Sequence, residues 1–277
     1  MDIDARERGV SAGKPAKFPL ALDRLASARR GDAVTLRPQR PVHEAALDAR
    51  RLVAPTGLGM DSAGVRARMV ARLRAEGLSC APVLQALADV PRHLFVDTAL
   101  IAQAYEDTSL PIGLGQTISK PSVVGRMMEL LCQAPAMAAS GRPGRVLEVG
   151  TGCGYQAALL SRLASQVVSI ERLRPLHDKA RGLLASLRMH NVRLVYGDGR
   201  AGHAPHAPYD GIIAAAGGDD LPHAWLEQLA VGGRLVAPMK AVDGRGQVLM
   251  VVDRHEDAYE QHVHEAVHFV PLKSGVA

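Results

Sequence analysis

The stretch Arg145-Val-Leu-Glu-Val-Gly-Thr-Gly-Cys-Gly-Tyr155 decides the fold. Val146, Leu147 and Val149 supply the apolar bulk of a strand covered on both faces, as parallel sheets require. Gly150, Gly152 and Gly154 follow at alternate positions, where the backbone can turn sharply and approach a ligand without a Cβ in the way. A dinucleotide fingerprint, G-x-G-x-x-G, would set a diphosphate over the next helix, but Tyr155 stands where its third glycine would be. The pattern is instead E-x-G-x-G-x-G from Glu148. It suits a ligand without phosphate, whose amino-acid end needs an acceptor at the strand tip, and S-adenosylmethionine is such a ligand.

Two further runs extend that reading. Gln166-Val-Val-Ser-Ile-Glu171 is a second strand ending in a carboxylate, where an acidic side chain can accept both ribose hydroxyls. Val192-Arg-Leu-Val-Tyr-Gly-Asp-Gly199 is a third, ending in Asp198 and Gly199, placed to meet an adenine amino group. Downstream the alternation continues: a strand over 209–216, a helix over 222–229 closed by Gly232-Gly233, a strand over 234–238, and strand-like runs over 247–253 and 262–269. This order predicts a doubly wound α/β fold, mainly parallel, with its ligand at the carboxyl ends of the strands.

The chain has 277 residues, 47% of them hydrophobic, enough to bury a full α/β core. Its start lacks the basic-then-apolar order of a secretory signal, and no apolar run approaches the roughly 18 residues of a membrane span. Three cysteines, Cys80, Cys132 and Cys153, form no C-x-x-C pair, so neither a disulfide framework nor a metal site is expected, and a cytoplasmic location is. His262, His264 and His268 share one strand face without a carboxylate cluster to complete a metal site. Of the formal charge of +5, +4 falls in residues 1–60, which hold 11 Lys/Arg and 7 Asp/Glu. That segment is rich in Pro, Ala, Gly and Arg, and is expected to be a disordered basic extension rather than a nucleic-acid arm. No nucleic-acid or membrane partner is therefore expected, and the protein is expected to be a monomer.

The folded part is expected over 61–277, with a helical, substrate-side segment over 61–135 and the cofactor-binding sheet over 145–277. Asp61 or Ser62 is a candidate helix N-cap, Val65, Met69, Val70 and Leu73 recur at helical spacing, and Gly77 ends that helix. A short helix over 82–87 and another over 122–132 follow, with a Gly-rich loop between Pro111 and Pro121.

Val90-Pro-Arg-His-Leu-Phe-Val96, Tyr105-Glu-Asp107, Leu110-Pro-Ile-Gly113, Gly115-Gln-Thr-Ile-Ser119, Glu148 to Gln156, Ser169-Ile-Glu171, Gly197-Asp-Gly199 and Pro208 to Ile213 together carry a resemblance. In this order they resemble the protein-L-isoaspartate O-methyltransferase family, from about Ser62 to Leu272. The resemblance implies a seven-stranded, Rossmann-like class I methyltransferase sheet with one antiparallel strand near the C-terminus. It also implies S-adenosylmethionine as methyl donor, S-adenosylhomocysteine as product, and isoaspartyl-containing proteins and peptides as acceptors, repaired through a succinimide. Ser119 matches the family's functional serine, and its hydroxyl would hold the acceptor carboxylate. Thr117, Ile118 and His93 would belong to the substrate side. Glu148, Gly150, Thr151, Gly152, Gly154, Glu171, Asp198 and Gly199 would bind the cofactor, and Gln247 would touch its amino-acid end. Gly217-Gly-Asp-Asp220 departs from the family's usual Ala/Pro-containing turn.

An isoaspartyl α-carboxylate has a pKa near 3.5, so the nucleophile is already ionised at neutral pH and no general base is required. What the protein must supply is placement. Blander roles compete for the same residues. Ser119 precedes Lys120-Pro121 and a helix, where a turn or cap residue also fits, Asp198 can form a simple Asp-Gly turn, and His93 can be a satisfied core residue. Amine methylation is a rival activity, but the Asn/Asp-Pro-Pro-aromatic turn it commonly uses is replaced here by Ala214-Ala-Ala-Gly-Gly-Asp-Asp220. A non-catalytic cofactor-binding module is another; the intact Ser119 and three strand-end carboxylates argue against it.

Overall fold

The computed structural model describes residues 62–135, 143–242 and 244–277. The extension expected over 1–60, and Asp61, lie outside the described residues. Helix α1, Ser62–Ala75, buries Met69 and Leu73 along one stripe. It ends as its sequence predicts. Gly77 takes a φ of 107°, Leu78 N–H reaches the Leu73 carbonyl at 3.0 Å and Gly77 N–H the Arg74 carbonyl at 3.2 Å, the paired bonds of a Schellman cap. Helix α2, Ala81–Asp89, and two 3₁₀ turns, Arg92–Phe95 and Thr98–Gln103, continue the helical segment.

The Gly-rich segment after Ser109 is not a loop but a hairpin. Strands β1, Leu110–Gly113, and β2, Gln116–Ile118, pair antiparallel. Leu114 and Gly115 form the two-residue turn with φ of 54° and 69°, the double positive φ that matches the twist of paired strands. Helix α3, Pro121–Cys132, then starts on a proline, which is pre-set for a first helical position.

Strand β3, Arg145–Val149, is followed by helix α4, Tyr155–Leu163; β4, Gln166–Glu171; helix α5, Arg174–Ser186; β5, Val192–Tyr196; β6, Tyr209–Ala214; helix α6, His223–Gln228; β7, Leu229–Lys240; β8, Gln247–Arg254; and β9, Tyr259–Val267. One seven-stranded sheet has the order β5-β4-β3-β6-β7-β8-β9. β8 runs antiparallel to both its neighbours and every other pairing in the sheet is parallel. β3 sits near the centre, and Val146 through Val149 are buried, as a strand covered on both faces demands. The expected fold class is therefore observed, single antiparallel strand included.

Two differences from expectation stand out. Gly232 and Gly233 do not close a helix; α6 stops at Gln228 and the glycines lie inside β7. The reason is local crowding. A Cβ on Gly233 would meet the carbonyl oxygens of Ala230, Asp210 and Tyr209 at 2.8, 3.0 and 3.1 Å, where the β6–β7 register shifts. β9 begins earlier and ends earlier than 262–269, which leaves buried Phe269 beyond the sheet.

Arg234 on β7 ties the sheet to α3. Its guanidinium grips Asp253 through Nε–Oδ1 at 2.6 Å and Nη2–Oδ2 at 2.7 Å, while Nη1 donates to the Leu130 carbonyl at 2.9 Å. Both side chains are largely buried. Asp253→Leu alone strands that charge and is expected to cost about 3–5 kcal/mol in urea unfolding, whereas Asp253→Leu combined with Arg234→Met should restore most of the loss. A single variant as stable as the parent would show the pair to be inert.

Candidate active site

The carboxyl ends of β3, β4 and β6 meet at one cleft that is open to solvent. Its floor is the turn after β3. Gly150, Gly152 and Gly154 take φ of 91°, 55° and 90°, a left-handed course that side chains rarely tolerate. The turn is secured by β4: Gly150 and Thr151 N–H donate to the Ile170 carbonyl at 2.9 and 3.1 Å, and Gly152 N–H donates to Glu171 Oε2 at 2.9 Å. Glu171 Oε1 accepts from Leu173 N–H at 2.9 Å. Each of its oxygens retains a lone pair for a ligand hydroxyl. A strand-end carboxylate with spare acceptor capacity beside a Cβ-free floor fits a ribose and an amino-acid chain, which is what S-adenosylmethionine would present.

Glu148 lies beneath the turn rather than in the cleft. It is fully buried, accepts from Ser169 Oγ at 2.5 Å, and Ser169 Oγ lies 2.5 Å from Thr151 Oγ1. Its second oxygen has no partner in the described structure. Burial, reinforced by the Glu171 charge, pushes its carboxyl up to about 8 against the pull of the Ser169 hydrogen bond, so it holds its proton at neutral pH.

Another side of the cleft is the β2 edge. Thr117, Ile118 and Ser119 all line it, together with Ile112 and Gln116 of the hairpin. Ser119 sits between the end of β2 and Lys120, the residue before α3, and its carbonyl accepts from Arg92 Nη2 at 2.7 Å. Arg92 is fully buried; its Nε donates to the Ala104 carbonyl at 2.8 Å and its guanidinium lies 4.9 Å from the centre of the Tyr155 ring.

Gly150, Thr151, Gly152, Glu171 and Gly199 line the cleft as expected of cofactor residues. The other expected residues lie elsewhere. Gly154 turns its open face toward Ala180 and Leu184 of α5. Asp198 has both oxygens engaged by backbone, Oδ1 by Arg200 N–H at 2.9 Å and Oδ2 by Gly275 N–H at 2.7 Å. Gln247 brackets Phe269, accepting from its N–H at 2.7 Å and donating to its carbonyl at 3.4 Å, because the chain after β9 folds back beside it. His93 pairs with the Tyr105 hydroxyl at 2.7 Å, and burial together with Arg66 lowers its pKa.

The cleft also has a wall that no motif announced. Val270, Pro271, Leu272 and Lys273 close one side, zipped to the β6 loop by Gly217 N–H to the Val270 carbonyl at 2.8 Å and Leu272 N–H to the Gly217 carbonyl at 2.7 Å. The unusual turn thus has a structural use. Gln247 occupies the space a Cβ on residue 217 would need. Arg172 and Lys273 add positive charge along the cleft. No cluster of His, Cys, Asp and Glu able to hold a metal occurs among the described residues.

Known proteins of one family are similar to this chain along most of its length. Residues 65–277 match the family model described as protein-L-isoaspartate(D-aspartate) O-methyltransferase. A protein-L-isoaspartate O-methyltransferase of Methylibium petroleiphilum is 64% identical over 270 residues, 96% of this chain and 99% of that one. One from Leptothrix cholodnii is 62% identical over 242 residues, 87% and 84% of the two chains. Among solved structures, a protein-L-isoaspartate O-methyltransferase aligns with a TM-score of 0.67 at 28% identity, over 76% of this chain and 66% of that one. A Plasmodium falciparum protein crystallised with S-adenosyl-L-homocysteine aligns with a TM-score of 0.65 at 20% identity, over 75% and 98%, and shares the fold.

The buried carboxyl has a measurable signature. Glu148 ionises near its ordinary 4.5 in the unfolded chain and near 8 in the folded one, so between those values the native state binds the extra proton and stability falls as pH rises. Glu148→Gln removes that dependence. Between pH 5 and pH 8, the parent should lose roughly 2–4 kcal/mol relative to this variant in urea unfolding. Parallel pH profiles for the two proteins would contradict the assignment.

Proposed function

Because the chain belongs to the protein-L-isoaspartate(D-aspartate) O-methyltransferase family, we propose that methyl transfer takes place in the cleft at the strand ends and that Ser119 is the side chain that holds the acceptor. The enzyme methylates the free α-carboxylate of L-isoaspartyl residues in damaged proteins and peptides with S-adenosylmethionine, initiating repair through a succinimide. The observation that supports the site is the meeting of the Glu171 end of β4, the glycine turn and the Ser119 edge of β2 around one cavity.

When bound, S-adenosylmethionine supplies a methyl group activated by a sulfonium. Glu171 would accept from its ribose hydroxyls, and Gly150 and Gly152 would leave room for its chain. The acceptor carboxylate arrives ionised, so no side chain has to remove a proton. Ser119 donates one hydrogen bond to it, which fixes one oxygen while the other stays free to attack. A neutral hydroxyl suits this role, because a paired cation would bind the anion more tightly and blunt it. Arg172 and Lys273 act at longer range, drawing an anionic acceptor toward the opening. Burial within β3 and between carbonyls leaves Glu148 and Arg92 supporting the floor and the edge rather than touching substrate.

Residues 61–277 carry a net charge of only +1, which supports a polypeptide acceptor over nucleic acid. The same reading takes the protein as a cytoplasmic monomer without a membrane partner; light scattering that gives two chains per particle would refute the monomer.

With radiolabelled donor, an isoaspartyl peptide should gain a base-labile methyl ester and its normal aspartyl twin should not. A base-stable label would point to amine methylation. Ser119→Ala is expected to lower turnover by about one to two powers of ten while calorimetric binding of S-adenosylhomocysteine is unchanged, the loss of one hydrogen bond to a charged group. Parent-like turnover in that variant would remove the serine from the mechanism.

A further inference from the structure

Ser119 lies outside regular structure: β2 ends at Ile118 and α3 begins at Pro121. Its loop must be held by something else. On one side Asp107 does so, accepting from Ser122 N–H at 2.9 Å and Ser122 Oγ at 2.7 Å. On the other the grip is Arg92, whose Nη2 donates to the Ser119 carbonyl at 2.7 Å while Nε donates to the Ala104 carbonyl at 2.8 Å.

The same guanidinium rests 4.9 Å from the Tyr155 ring centre, and Tyr155 is the first residue of α4, directly after the glycine turn. One buried group therefore touches both the acceptor edge and the cofactor floor. Its partners among the described residues are carbonyls and a ring, and Nη1 is buried without a hydrogen bond there. That is a costly way to fill space. Burial works against the charge, and an apolar side chain would pack the same volume without the desolvation loss.

We propose that Arg92 is a positioning residue for methyl transfer: by gripping the Ser119 carbonyl and resting on Tyr155 it sets the Ser119 hydroxyl at a fixed offset from the glycine turn. The inference rests on Ser119 holding the acceptor. A rigid two-pronged donor that also stacks on a ring suits this duty, and lysine, a point charge on a flexible stem, does not reproduce it.

The test is a double-mutant cycle in the full-length enzyme, with turnover normalised to sites that bind S-adenosylhomocysteine by calorimetry. Arg92→Lys should lower kcat about tenfold and change KM for an isoaspartyl peptide by less than about threefold. In the Ser119→Ala background the same substitution should cost less than about twofold, because the hydroxyl it orients is gone. An undiminished tenfold effect in that background, or parent kcat in Arg92→Lys, overturns the proposal while leaving Ser119 in place. Parent kcat in Ser119→Ala alone overturns the reading beneath it. Should the lysine variant not fold, Arg92→Gln, which keeps a donor for the Ser119 carbonyl and buries no charge, carries the same cycle.

Discussion

The structure turns on the register between β3 and β4. Glu148 lies opposite Ser169 and Val149 opposite Ile170, which brings the Ile170 carbonyl under the turn and the Glu171 carboxylate beside it. Within the turn Gly154 N–H reaches the Thr151 carbonyl at 2.8 Å, but the N–H groups of Gly150, Thr151 and Gly152 face outward from it, and buried N–H groups without partners are costly. The end of β4 supplies those acceptors. A slip of one residue would reverse every side chain of β4 and swing Glu171 away from the turn. Cleft floor and sheet register are thus one constraint.

The protein also buries polar groups that it could have replaced with apolar ones. Glu148, Arg92 and Glu129 all sit below 3% exposure. Each is surrounded differently. Glu148 leans on a hydroxyl pair; Arg92 faces carbonyls and a ring; Glu129 takes Ser79 N–H, Ser79 Oγ and Cys80 N–H on one oxygen and Arg126 on the other. Hydrogen bonds of this kind are directional, so they fix relative position in a way that apolar packing does not. The helical segment, the hairpin and the sheet are held in one arrangement by such contacts, where a core of leucines alone would leave them free to slide.

Legibility followed the range of the interaction. The run from Val146 to Tyr155 declares its own strand, turn and helix, because burial on both faces and positive φ both leave marks on residue type. Gly77 declares the end of α1 for the same reason. Gly232 and Gly233 carry the same residue type for a different cause, close approach of β6 backbone, and read locally they suggest a helix stop. The hairpin over 110–118 was hidden because its turn places Leu114 at a positive φ that leucine seldom adopts. Gln247 and Asp198 point the same way: their partners, Phe269 and Gly275, lie 22 and 77 residues away in sequence.

Periodicity and glycine spacing by themselves determined the α/β class and the order of strands and helices from residue 145 on, since each such element is set by residues within about ten positions of one another. The family's serine was readable as a residue but not as a place. Only the tertiary structure decided that a guanidinium from residue 92 grips its carbonyl, that Glu148 lies under the turn rather than in the cleft, and that residues 270–273 return to wall it. Those are contacts between segments brought together by the sheet, and they come into being only when the chain closes on itself.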